Sequence, residues 1–171
     1  MAAAFLYHQQ RLREINPLIV ASGGFGPAGR RLDGSVVALL EDRGVDLSRK
    51  RTRELDAEMV GRADLIVTMT GAQAMRTMRS WPEVAGRVFT LRHLCAVVTS
   101  RPSSMSLAAW AREVQRSVDR DYGPSGDPAM DIAQPSGSEF GATLNLADQL
   151  LAATDHLTRC LWPESEISTA T

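Results

Sequence analysis

The spacing of apolar positions changes several times along the chain, and each change predicts an element. Residues 2–15 read as a helix, with Phe5, Leu6, Leu12 and Ile15 on one face and polar residues between. Pro17 ends that helix. Leu18-Ile19-Val20-Ala21 is a short continuous apolar run, the pattern of a buried parallel strand. A Gly-rich loop follows from Ser22 to Gly34. A helix over 35–43 comes next, with Val36, Val37, Leu39 and Leu40 apolar and Gly44 as its stop. A second strand is predicted over Ala63–Met69, then a helix to Trp81 closed by Pro82, then a third strand over Val88–Leu91. Helical spacing returns over 105–118 through Leu107, Trp110, Ala111, Val114 and Val118. The stretch 119–137 is rich in Gly, Pro, Asp and Ser and reads as a long loop, a kind that is often functional. The last helix is predicted from about Ser138 to Leu161, with Phe140, Leu144, Ala147, Leu151 and Leu157 inward.

Strands alternating with helices imply a three-layer α/β domain, a parallel sheet with helices on both faces. Residues 1–162 form that domain, and 163–171 are a polar tail. Ligands of such sheets sit at the carboxyl ends of the strands. That points to the loops after Ala21, Met69 and Leu91. One feature is unusual: only three strands are visible, and the chain opens directly on a helix.

Composition narrows the class. The chain has 171 residues, 44% of them hydrophobic, which suits one compact domain. Nineteen Lys and Arg against 20 Asp and Glu give a net charge of -1, which argues against a strongly basic nucleic-acid binder. No apolar run approaches the roughly 18–20 residues that span a bilayer. Cys95 and Cys160 make no disulfide framework, and His8, His93 and His156 show no metal-ligand spacing. The expectation is a cytoplasmic protein without cofactor or metal.

Several motifs carry candidate chemistry. Gly24-Phe25-Gly26-Pro27-Ala28-Gly29 fits the dinucleotide fingerprint G-x-G-x-x-G after a strand. However, Pro27 removes an amide and the next helix starts late, so a connecting loop is the better reading. Cys95-Ala96-Val97-Val98-Thr99-Ser100-Arg101 has C-x5-R spacing. A phosphate loop of that kind rings a thiolate with backbone amides and clamps the phosphoryl oxygens with Arg. The β-branched Val97 and Val98 resist the backbone such a loop needs, so buried packing with an inert thiol is preferred. Ser48–Arg53 is a basic run, either a solvated turn or a rim that attracts an anion. Asp131 ends the long loop, where a carboxylate serves as a turn residue or as a proton donor.

Taken together these pieces resemble the low molecular weight protein tyrosine phosphatase family, which includes thioredoxin-coupled arsenate reductases. The resemblance runs from Met1 to about Leu161. Met1-Ala2-Ala3-Ala4-Phe5-Leu6 resembles the Ala-rich helix that follows the family's phosphate loop. Val20-Ala21-Ser22-Gly23-Gly24 is similar to its Val-x-Ser-Ala-Gly segment. Gly44–Leu55 is similar to Gly-Ile-Asp-x-Ser-x-His-x-Ser-Arg-x-Leu, and Ala63–Met69 to the third strand. Asp131-Ile132-Ala133-Gln134-Pro135 resembles the Asp-x-x-Asp-Pro general-acid loop.

The resemblance implies phosphotyrosine-type monoester hydrolysis through a phospho-cysteine, on a phosphorylated protein or small phosphomonoester, without nucleic-acid or membrane partners. It implies support of the phosphate loop by Ser22 and by Lys50, the latter where the family often has His. Gln134 holds the general-acid position, and an amide cannot protonate a leaving oxygen; Asp131 is the nearest substitute. The family's first strand and Cys-x5-Arg-Ser loop would precede Met1. The expectations are that Met1 is an internal methionine of a longer protein and that the chain as given is inactive. Omitting a central strand would leave unpaired edges, so marginal stability is also expected. A non-catalytic anion- or protein-binding relative is the alternative. Arsenate reduction ranks lower, since Cys95 and Cys160 are poorly placed for it.

Overall fold

A computed structural model describes residues 1–13, 18–121, 128–132 and 140–162. The chain divides into two compact units, residues 1–55 with 134–158, and residues 56–133 with 159–171.

The first unit is helical in its described part. Helix α1 spans Ala2–Leu12 and α2 spans Gly34–Glu41. Helix α7 spans Phe140–Leu161, and its residues up to Thr158 belong here. Asp33 caps α2, its carboxylate accepting from the Ser35 amide at 2.9 Å. That hydrogen bond with Ser35 holds the Asp33 carboxyl below its usual pKa. After α2 the chain turns at Gly44, whose φ of +77° is the left-handed cap that glycine adopts without strain. A Cβ there would meet the His8 imidazole in ordinary van der Waals contact, with Cε1 3.4 Å away, so it is the positive φ that calls for glycine. The unit's core holds Phe5, Leu39, Leu40, Val45, Leu146, Ala147, Leu150 and Leu157. Two ion pairs edge it, Arg13 to Asp155 at 2.8 Å and Arg43 to Asp148 at 2.7 Å.

The second unit carries the sheet. Its elements in order are α3 (Ala57–Arg62), β1 (Ile66–Thr68), α4 (Gly71–Ser80), β2 (Val88–Thr90), α5 (Leu91–Val97) and α6 (Leu107–Asp121). A 3₁₀ turn over Pro82–Arg87 leads into β2. The strands pair in parallel, with Ile66 opposite Val88, Val67 opposite Phe89 and Thr68 opposite Thr90. Both are β-branched and aromatic runs, suited to a half-buried pleat. Parallel strands need a crossover, and α4 supplies it. Val84, Phe89, Leu91, Leu94, Trp110 and Ala111 fill the core, each 3% exposed or less.

The α/β class with a parallel sheet holds, and two of the expected strands stand, shortened to three residues each. The strand expected over Leu18–Ala21 does not form. The Leu18 amide goes to the Gln10 side chain at 2.8 Å, and Ile19 is 97% exposed. A strand exists only if a neighbour takes its amides and carbonyls, and no described strand lies beside this run. Two isolated bridges follow instead, Gly24 with Glu54 and Arg31 with Arg51. The loop expected after Leu91 is also absent, because α5 begins at Leu91 itself. In α1, Leu12 is 69% exposed and does not share the burial of Phe5. In α7, Leu144 and Leu151 are only half-buried, and the side chain of Phe140 lies outside the described part.

Candidate functional site

The carboxyl end of β1 is where a parallel sheet offers a site. Here β1 runs into Met69 and Thr70, and α4 starts at Gly71. The Thr70 hydroxyl accepts from the Gln73 amide at 3.2 Å, and the Gln73 side chain accepts from the Met69 amide at 2.9 Å. Thr70-x-x-Gln73 has the spacing of a capping box, a signal visible in the sequence.

Asp131 lies at this helix start. Its Oδ1 accepts from the Gly71 amide at 2.7 Å, a charge-assisted bond at the positive end of a helix. The Ile132 amide donates to the Met69 carbonyl at 2.8 Å, and Arg92 donates to the Ala129 carbonyl at 3.1 Å. The segment before Gln134 is thereby pinned to the end of β1. Gln134 lies outside the described residues. Ser22 and Lys50 belong to the first unit, and both are exposed. Gly24 donates to the Arg53 carbonyl at 2.9 Å and accepts from the Leu55 amide at 2.9 Å. Ser22 and Lys50 thus flank two segments that the fold holds side by side. A cavity of about 390 Å³ in the same unit is lined by Phe5, His8, Gln9, Leu12, Leu151 and Asp155 among others, and by neither Ser22 nor Lys50.

The Cys95-x5-Arg101 spacing makes no phosphate loop. Cys95 lies within α5, so the backbone amides after it serve the helix rather than an oxyanion. Arg101 serves packing: its amide donates to the Cys160 carbonyl at 2.7 Å, Nε to the Leu161 carbonyl at 3.1 Å and Nη1 to the Met105 carbonyl at 2.5 Å. Burial, with Cys160 nearby as a smaller cause, pushes the Cys95 thiol from its usual 9.0 up to about 11. Burial likewise raises the Cys160 thiol. At pH 7 the thiolate fraction of Cys95 is on the order of 10⁻⁴. Alkylation of Cys95 by iodoacetamide is therefore expected to be slow at neutral pH and to accelerate steadily up to about pH 11. The same shift bears on stability. The fold favours the protonated thiol, so its contribution is complete below pH 9 and is lost as pH rises to about 11.

The Gly24–Gly29 fingerprint fares no better. The next helix begins only at Gly34, and Asp33 already occupies its amino end. Among the described residues no group of three or more His, Cys, Asp or Glu could hold a metal ion. No described helix is long and apolar enough to cross a membrane.

Comparison with known proteins gives the family. A family profile described as "Low molecular weight phosphotyrosine protein phosphatase" matches residues 1–101. A probable low molecular weight protein-tyrosine-phosphatase, EpsP, from Ralstonia nicotianae is 34% identical over 116 residues, covering 65% of this chain and 80% of the relative. The low molecular weight protein-tyrosine-phosphatase Ptp of Acinetobacter johnsonii is 32% identical over 75 residues, 44% of this chain and 53% of that one. Among solved structures, a low molecular weight protein tyrosine phosphatase from T. tengcongensis shares the fold with a TM-score of 0.70 at 18% identity, over 94% of this chain and 88% of its own. The YwlE arginine phosphatase from Geobacillus stearothermophilus does so with a TM-score of 0.64 at 21% identity, over 92% and 80%. The chain belongs to the low molecular weight phosphotyrosine protein phosphatase family.

Proposed function

We propose that residues 1–162 are the body of a phosphatase domain of this family, followed by a polar tail at 163–171, and that its activity is hydrolysis of phosphotyrosine-type monoesters. The substrate is a phosphorylated protein or a small phosphomonoester of the cytoplasm. The chemistry requires a Cys-x5-Arg-Ser loop: its thiolate attacks phosphorus, the alcohol leaves, and water then cleaves the phospho-cysteine. The 171 residues by themselves are inactive. The observation that carries this is the placement of Cys95 in a helix with its thiol pushed up to about 11, while Arg101 is spent on carbonyls.

Ser22 and Lys50 support the phosphate loop when it is present. Asp131 is the remaining carboxylate for the leaving group. Its Oδ1 is engaged by Gly71, so Oδ2 is the oxygen that would carry the proton. Gln134 holds the family's acid position without a transferable proton.

The test is p-nitrophenyl phosphate turnover. The chain as written should match a buffer blank, and Cys95→Ser should change nothing. Turnover that Cys95→Ser abolishes would sink the proposal. A second reading, a non-catalytic anion- or protein-binding relative, draws on Gln134 and on the engagement of Asp131 by the α4 amino end. Arsenate reduction ranks below both, because it needs reactive thiols and burial raises both cysteines.

A further inference from the structure

The fold brings two distant basic segments, Arg30-Arg31 and Arg49–Arg53, side by side in the first unit. Arg31 and Arg51 are antiparallel bridge partners. Beside them the Arg30 amide donates to the Thr52 hydroxyl at 3.0 Å, and the Thr52 amide donates to the Arg30 carbonyl at 2.9 Å. The Thr52 hydroxyl donates to the Pro27 carbonyl at 2.9 Å, and the Gly29 amide to the Thr52 carbonyl at 2.8 Å. Gly29, at φ +80°, makes the turn that brings Arg30 and Arg31 across.

Six cations result: Arg30, Arg31, Arg49, Lys50, Arg51 and Arg53, all exposed. Like charges directly opposite across a bridge are destabilising, so the arrangement costs stability unless an anion offsets it. Elsewhere Arg13, Arg43, Arg62 and Arg116 each face a carboxylate within 3.3 Å. Here, among the described residues, the side chains of Arg30, Arg31 and Lys50 make no hydrogen bond or ion pair, and Arg49 has only the charge of Asp46 nearby. Arg51 donates only to carbonyls of its own turn. Of the acids nearby in sequence, Asp33 caps α2, Asp46 accepts from the Ser48 amide at 2.8 Å and lies near Arg49, and Glu54 is exposed beside Arg53, so six cations face few carboxylates.

We infer that this surface docks an acidic peptide segment of a partner protein. Several guanidinium forks side by side suit carboxylates or phosphates spaced along an extended chain. A nucleic acid is the weaker fit, because the net charge of the whole chain is -1 and the cations are not interleaved with aromatic residues. The inference does not rest on turnover, since binding is read without it.

Fluorescence anisotropy on the full chain tests it with four labelled probes. These are a Glu-rich peptide, the same peptide with phosphotyrosines replacing some Glu, a DNA strand of equal charge, and phosphatidylserine vesicles. The expected result is that at least one peptide binds, more weakly as salt rises. Arg30→Gln/Arg31→Gln/Arg49→Gln should weaken it about tenfold. Arg62→Gln/Arg79→Gln/Arg116→Gln, with the same charge removed from the second unit, should leave it unchanged. The peptide that binds tighter tells whether carboxylates or phosphates are read. No peptide binding, equal loss in both variants, or tighter binding of the DNA or vesicles than of either peptide would overturn the inference. Circular dichroism melts of both variants confirm that the fold persists.

Discussion

Arg101→Ala is expected to lower the stability of the chain by about 3 kcal/mol, because it deletes two charged-donor hydrogen bonds worth roughly 1.5–3 kcal/mol each. The bonds run from Nε to Leu161 and from Nη1 to Met105. Both carbonyls lose a partner, and the Leu161 carbonyl belongs to the last residue of α7, one of the end carbonyls that have no donor within the helix. Arg101→Lys should recover only part of the loss, since an ammonium lacks the guanidinium's spread of donors. Urea unfolding checks both variants. If Arg101 were the clamp of a phosphate loop, its removal would cost activity and little stability. An unchanged midpoint for Arg101→Ala would therefore contradict the packing role assigned to it.

Phe5→Ala should cost more, about 3–5 kcal/mol, the range for emptying a large aromatic site in a packed core. Phe5 is 1% exposed in the first unit, among the largest fully buried side chains. Leu12→Ala, on the same helix and 69% exposed, should change stability by no more than about 0.5 kcal/mol. The pair is informative because helical spacing alone puts both on one apolar face. Thermal melts of the two variants read the contrast. Equal effects would mean that α1 packs through the whole stripe rather than through Phe5.

That contrast also marks where sequence reasoning reached and where it stopped. The strands at Ile66–Thr68 and Val88–Thr90 were legible because β-branched runs followed by a helical crossover leave few other arrangements. Leu18–Ala21 sends the same apolar signal and forms no strand, because pairing needs a neighbour and composition cannot report one. The start of α5 at Leu91 was hidden by Val88–Leu91 reading as one apolar run. Of the candidate site, Asp131 was legible as a carboxylate at the end of a long loop. Its seat on the Gly71 amide was not, since that contact joins residues 60 positions apart. The C-x5-R spacing at Cys95 carries its own contrary signal, because two adjacent valines oppose the backbone that a phosphate loop needs. What then holds Arg101, the end of α7, is tertiary and could be seen only in the fold.

The central claim is that Cys95 and Arg101 pack the fold and form no phosphate loop. Phosphopeptide mapping of the chain after incubation with p-nitrophenyl phosphate tests it most directly. The expected result is no phosphate on Cys95, whose thiol is held protonated at neutral pH. A phospho-cysteine at Cys95 would contradict it.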